Sequence, residues 1–230
     1  MIDRPYTLLS CCMSLDGYLA GVGRRRLMLS NDADFDRVDE VRAGCDAILV
    51  GAATVRMDNP RLVVRAPSRR DVRVAGGLPP SPMKVTLTCG AGLDPGARFF
   101  TDGESERLVY CASSALPQVR RVLGTAATVV DGGQPVDVAW MTRDLFDRGV
   151  RRLLVEGGAA VHTQFLTSDL ADELHLVVAP FFVGDHRARR FVDDGAFPFN
   201  PDRRARLAEV RQIGDVVLLR YALSARFGVS

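Results

Sequence analysis

The sequence predicts an α/β fold: a central, mostly parallel sheet with helices on both faces and an antiparallel edge at its C-terminal end. Three observations carry this. Strand-like and helix-like patterns alternate from residue 44 to residue 170, the order that builds parallel sheets. The run "AILVG" at 47–51 is apolar without interruption, as expected of a strand covered on both faces. The last strand-like segments follow one another with no helix between them, which fits antiparallel additions at one edge.

The elements follow in order. Tyr6 to Met13 is an apolar strand ending at the Asp16-Gly17 turn. "SNDADFDRVDEVRAGC" has a Ser30 or Asn31 cap, acids in its first turn and Gly44 as a stop, so it reads as a helix with Phe35, Val38 and Val41 or Ala43 inward. "ATVRMDNP" is a short helix that ends before Pro60. Residues 65–82, rich in Pro, Gly and Arg, read as a long loop or flap. "MKVTLTC" and "ERLVYCASS" are strands, and a helix from Pro117 to Leu123 follows the second. "ATVVDGG" is a strand and "VDVAWMTRDLFDRGV" an amphipathic helix. "RRLLVEGGAAVHTQFLTSDL" reads as strand, Gly-Gly break and helix, and "ADELHLVVAPFFVGD" as a strand. "RLAEVRQIGDVVLLRYAL" is a hairpin turning at Gly214-Asp215. Strand signals resume directly after the flap, so residues 1–230 are expected to form one domain.

Composition narrows the function classes. The chain has 230 residues, 47% hydrophobic and 25% charged, an ordinary globular balance. A net charge of +2 gives no reason to expect nucleic acid as a partner. No apolar run approaches the ~20 residues of a membrane span, and Met1 to Ser10 lacks the pattern of a signal peptide. Cys11, Cys12, Cys45, Cys89 and Cys111 are odd in number and mostly in apolar, strand-like surroundings. That fits reduced thiols in a cytoplasm. His162, His175 and His186 stand apart, with no second ligand at metal spacing. They read as core or surface histidines, and no metal is expected.

In open α/β sheets ligands bind beyond the carboxyl ends of the strands. "LVGAAT" and "LVEGGAA" each end a strand and open a helix with small residues, where free N–H groups and the helix dipole suit a pyrophosphate. Close helix–strand packing also selects glycine there. Glu156 ends the apolar run Leu153 to Val155. A carboxylate at such a strand tip is either bonded to backbone N–H groups or placed in a ligand cleft, and perturbed carboxylates favour the second. Asp58 before Asn59-Pro60 is a turn-former or a ligand contact. Arg42 and Arg65 form either a phosphate fork or solvated surface.

The motifs "MSLDGYLAG", "AILVGAATVRMDNPRLVVR", "LLVEGGAAVHTQFL" and "ADELHLVVAPFFVGD", in this order, resemble the pyrimidine-reductase family of riboflavin biosynthesis. This is the reductase half of the bifunctional deaminase–reductase, here of the stand-alone type. The resemblance spans about residues 5–222 and implies a dihydrofolate-reductase-like fold. It implies that NADPH reduces the ribosyl group of a 6-ribosylamino-pyrimidine 5′-phosphate to a ribityl chain. The substrate would be 5-amino-6-(5-phosphoribosylamino)uracil or its 2,5-diamino-pyrimidinone counterpart. A cytoplasmic homodimer is implied, with a small-molecule substrate and no nucleic-acid or membrane partner.

By resemblance, Thr54, Asp58, Thr88, Cys89, Gly157, Gly158, Ala159 and Ala160 match cofactor-side positions. Thr88-Cys89 depart from the family's usual Asp-Ser. Ser10, Ser30, Arg42, Asp58 and Arg65 match substrate-side positions, the arginines towards the phosphate. Ser10 stands where many bifunctional enzymes have a lysine. Asp58 and Glu156 are the candidate catalytic acids, and Asp16 shapes a turn. Two other functions remain open on sequence: an NADPH reductase for a pteridine or specialised metabolite, and a non-catalytic nucleotide-binding protein.

Overall fold

The computed structural model describes residues 3–22 and 27–228. Its elements are β1 (Tyr6–Ser14), α1 (Asp32–Ala43), β2 (Ala47–Gly51), α2 (Ala52–Asp58), α3 (Pro67–Ala75), β3 (Met83–Thr88), α4 (Arg98–Thr101) and β4 (Arg107–Cys111). These are followed by α5 (Leu116–Leu123), β5 (Thr128–Asp131), α6 (Val138–Asp147), β6 (Arg152–Gly157), α7 (Ala159–Thr167), β7 (Glu173–Ala179), β8 (Arg206–Ile213) and β9 (Val216–Ala222). The chain packs as two compact units: residues 38–154 with the N-terminal residues up to Pro5, and residues 6–37 with those from 155 onward.

In the first unit the strand order is β5-β4-β3-β2, with β6 beside β2. The β2–β3, β3–β4 and β4–β5 pairs are parallel. Every residue of β2 is buried, in keeping with its unbroken apolar run. Asp46, just ahead of it, accepts the N–H groups of Arg151 and Arg152, both at 2.8 Å. Asp137 caps α6 by accepting from Ala139 and Trp140, relieving two orphan donors of the first turn. Lys84, the only lysine, is fully buried on β3. Its ammonium donates to the carbonyls of Phe99 at 3.1 Å and Asp102 at 2.5 Å, so it caps the C-terminal end of α4. Burial pushes its pKa down to about 8.

In the second unit the strand order is β6-β1-β7-β9-β8. β1 and β7 are parallel, whereas β7–β9 and β8–β9 are antiparallel. The mostly parallel sheet with an antiparallel C-terminal edge is therefore as expected, including the hairpin that turns at Gly214-Asp215. Asn31, not Ser30, caps α1: its side-chain oxygen accepts the N–H of Asp34 at 3.0 Å.

Two sequence expectations need correction. Residues 65–82 are not loop throughout, because Pro67–Ala75 form α3. Proline at a first helical position is preorganised for that role. Buried Arg73 then fixes α3 by donating to the carbonyls of Ala43 and Cys45, both at 2.8 Å, and of Pro79 at 2.9 Å. The inward face of α1 also differs from the apolar one expected. Phe35, Val38 and Val41 are half-buried, while Asp34, Arg37 and Asp39 are the deepest residues. Charge can be buried there because each of the three has an ionic partner.

Candidate active site

In the first unit, Thr54 and Asp58 lie four residues apart on α2, a spacing that puts both on one helix face. Thr54 is half-buried and Asp58 exposed. The helix stops at Asn59, whose backbone is left-handed (φ 43°) and whose side-chain oxygen accepts the N–H of Arg98 at 2.7 Å. Thr88 ends β3, buried, with its hydroxyl donating to the carbonyl of Gly90 at 2.7 Å. The neighbouring Cys89 is exposed.

Arg65 is organised by a residue that sequence reading missed. Asp39 of α1, 2% exposed along its side chain, accepts the backbone N–H groups of Arg65 at 2.6 Å and Ala66 at 3.1 Å. It also accepts the Arg69 guanidinium at 3.0 Å. Burial alone would raise the Asp39 carboxyl, but these donors outweigh it and hold it below the usual carboxylate range. The Arg65 side chain itself is 51% exposed. Arg42, in the last turn of α1, donates to the carbonyl of Val63 at 3.4 Å.

In the second unit, Glu156 is half-buried at the end of β6. Gly157 and Gly158 follow with φ of +82° and +95°, values that only glycine adopts without strain. Among the described residues, none accepts from the N–H groups of Gly158, Ala159 or Ala160. Three successive unbonded amides at the start of a nine-residue helix form an anion-binding terminus. The residues present thus fit a dinucleotide pyrophosphate.

Gly157 also answers to His162, another residue whose role the sequence hid. The imidazole is fully buried, its ring 5.3 Å from that of Phe191. It faces the carbonyls of Val155 and Phe191, yet neither nitrogen reaches hydrogen-bond geometry. Burial pushes its pKa from 6.5 down to about 4. The folded protein therefore keeps a neutral ring while the unfolded chain takes up a proton, and stability falls as pH drops from 6.5 to about 4. The loss is about 3 kcal/mol across that window. Urea unfolding at pH 7 and pH 4.5 measures it. His162→Phe should flatten the slope, and an unchanged slope would place the titration elsewhere. The carboxylates held low, such as Asp39 and Glu173, lose their contribution only below their own unfolded values.

Ser10 and Ser30 stand beside one buried ionic chain in the second unit. Ser10 on β1 is 7% exposed and pairs with His175 on β7. Ser30 donates its hydroxyl to Asp34 at 2.5 Å, and Arg37 donates to the other oxygen of Asp34 at 2.6 Å. Arg37 continues to Nδ1 of His175 at 3.1 Å, and Nε2 of His175 meets Glu173 at 2.7 Å. Arginine has no acceptor, so Nδ1 accepts from Arg37, while Nε2 lies between the Glu173 carboxylate and Nε of Arg220 at 3.1 Å. Burial and the flanking cations of Arg37 and Arg220 lower its pKa, against Glu173. Glu173 takes two bonds from Arg220, at 2.6 and 3.0 Å, and one from Tyr6 at 2.8 Å. Burial opposes its ionisation, but these donors hold it at about 2. The three-residue spacing of Asp34 and Arg37 was the only local sign of this chain. Asp16 accepts the N–H groups of Val183 and Gly184 at 2.8–3.1 Å, so it fixes the turn after β7.

The strand order and the glycine-opened helix after β6 belong to the dihydrofolate-reductase-like class of α/β proteins. Dihydrofolate reductase from Enterococcus faecalis shares this fold, with a TM-score of 0.52 and 12% identity over 94% of this chain and 95% of its own. Within that class, the model of the RibD C-terminal domain matches residues 5–219, and the chain belongs to that family. A solved pyrimidine reductase-like protein from Corynebacterium diphtheriae aligns with a TM-score of 0.79 and 21% identity, covering 96% of this chain and 92% of that one. The 2,5-diamino-6-ribosylamino-4(3H)-pyrimidinone 5′-phosphate reductase of Archaeoglobus fulgidus is 31% identical over 226 residues, 97% of this chain and 99% of the relative.

Proposed function

We propose that this chain is an oxidoreductase of riboflavin biosynthesis. It uses NADPH to reduce the ribosyl group of a 6-ribosylamino-pyrimidine 5′-phosphate to ribityl, with residues 1–230 acting as one reductase domain. The observation that carries the reading is the run of unbonded amides at Gly158, Ala159 and Ala160 in a chain of the RibD C-terminal family. These amides hold the pyrophosphate, and Thr54 bonds the cofactor towards its nicotinamide. Arg65, its backbone fixed by Asp39, and Arg42 bind the substrate phosphate by charge-assisted bonds. Ser10 and Ser30 contact the substrate. When bound, the cofactor supplies a hydride to C1′ of the sugar. Asp58 or Glu156 supplies the proton that O4′ takes as the C1′–O4′ bond breaks, while the nitrogen lone pair forms the C1′=N bond that is reduced. The rest is positioning, which supplies much of the rate in such transfers.

The reading includes a cytoplasmic homodimer. No helix among the described residues is long and apolar enough to cross a membrane. No disulfide joins the five cysteines. Leu207, Val210 and Val217 lie on one face of the β8–β9 hairpin, 49%, 60% and 36% exposed, an apolar surface suited to a second copy.

NADPH oxidation with both candidate pyrimidine phosphates tests the activity. A separate measurement tests the cofactor residues. Cys89 alone among the five cysteines is exposed, and burial pushes Cys11 and Cys12 up, Cys12 to about 12. Iodoacetamide should therefore modify Cys89 first, because the thiolate is the nucleophile. Saturating NADPH is expected to slow that reaction at least ~10-fold. An unchanged rate would remove Thr88 and Cys89 from the cofactor contacts.

A further inference from the structure

Both oxygens of Asp34 are committed as acceptors, one to Arg37 and one to Ser30. The sense of these bonds is fixed from behind. Arg37 only donates, and Nδ1 of His175 holds its other arm at 3.1 Å. The ion-paired carboxylate has no proton to return, so the single hydrogen of the Ser30 hydroxyl is spent on Asp34. The lone pairs of Ser30 Oγ are all that it offers a neighbour. Ser30 is only half-buried, whereas Asp34 and Arg37 beneath it are 2% and 8% exposed. The polarity of an accessible hydroxyl is thus set by buried residues that no ligand reaches.

The two candidate pyrimidines carry the same ribosyl phosphate and differ at one ring substituent, an exocyclic amine in the diamino-pyrimidinone and a carbonyl in the uracil. A hydroxyl that only accepts bonds the amine and meets the carbonyl oxygen to oxygen. We propose that Ser30, locked as an acceptor by Asp34 and Arg37, is a specificity residue that selects the amino-substituted pyrimidine over the uracil. This rests on the reading of Ser30 as a substrate contact. Sites built to bond a polar group discriminate strongly against analogues that cannot reciprocate.

Kinetics with NADPH and each pyrimidine phosphate test the proposal in wild type, Ser30→Ala and Asp34→Asn. Wild type is expected to favour the diamino substrate by at least ~10-fold in kcat/KM, and Ser30→Ala to bring the two within about twofold. Asp34→Asn makes the sharper change. Arg37 must keep the amide oxygen, so the amide NH2 turns to Ser30 and donates, and the serine hydrogen swings outward. The preference should then pass to the uracil, an inversion that general loosening of the site would not produce. Should Asp34→Asn fail to fold, Ser30→Ala decides alone, since it leaves the buried ion pair intact. A wild-type preference for the uracil overturns the proposal. So does an equal loss on both substrates in Ser30→Ala, which would put the shared sugar phosphate at Ser30. No change of either KM in Ser30→Ala would show that Ser30 is not a contact while the reductase reading stands. A wild type that turns over neither substrate would bring down both.

Discussion

The Asp58→Asn enzyme is expected to turn over at least ~100-fold more slowly than wild type while binding NADPH with nearly unchanged affinity, the size of effect that follows loss of a proton-transfer group. The substitution keeps the shape of the side chain. It removes the carboxyl group that would protonate O4′ as the acid and then, as the carboxylate, stabilise positive charge on the C1′=N unit. Asn59 ends the helix through its own left-handed conformation, with its N–H on the carbonyl of Val55 at 3.2 Å and its side chain bound to Arg98. A fall in kcat can therefore be read as chemistry, provided thermal melting is unchanged. Near-normal turnover in a folded variant would leave Asp58 as a turn-former and Glu156 as the remaining acid.

The second large effect is expected from a single methyl group. In Gly157→Ala, the new Cβ would stand 2.2 Å from Nε2 and 2.3 Å from Cε1 of His162. That ring is not a flexible chain end that can swing into solvent: it is fully buried beside Phe191. The backbone at Gly157 also has φ +82°, which adds about 1–3 kcal/mol of strain for any other residue. The variant should lose at least ~3 kcal/mol of stability. Because the turn leads directly into the amides of α7, its affinity for NADPH should fall more than ~10-fold. A Gly157→Ala/His162→Ala double variant relieves the clash but not the strain. It should regain part of the loss, a coupling that a double-mutant cycle measures. Additive losses would mean that the ring does not set the turn.

What sequence reading reached was local. The covered strand β2, the small-residue start of α7 and the Gly214-Asp215 turn each leave their mark within a few neighbouring residues. The helix inside residues 65–82 left none, because its proline and arginines are as common in loops. What holds it is Arg73 reaching carbonyls 30 and 28 residues away. The same limit hid Asp39, whose meaning lies in Arg65, 26 residues on. It also hid the charged underside of α1. A helix with Asp34, Arg37 and Asp39 facing inward contradicts the apolar rule unless His175, Glu173 and Arg69 are known to stand opposite. Its spacing marks His162 as a core or surface histidine, and it is a core one. The sequence did not show that its ring occupies the space left by a glycine five residues earlier.

The discontinuous make-up of the second unit bears on how a ribosome delivers it. Residues 38–154 emerge as one stretch and can begin packing at once. β1 emerges before that stretch, but its partner β7 lies some 165 residues later, as the Thr7–Asp172 bond shows. The cap of α1 waits longer still, since Asn31 bonds the carbonyl of Ile213 and the carboxylate of Asp215, the latter 184 residues on. At synthesis rates of roughly 5–20 residues per second, apolar β1 stays without β7 for roughly 8–30 s. Over that interval it is a natural binding site for a chaperone.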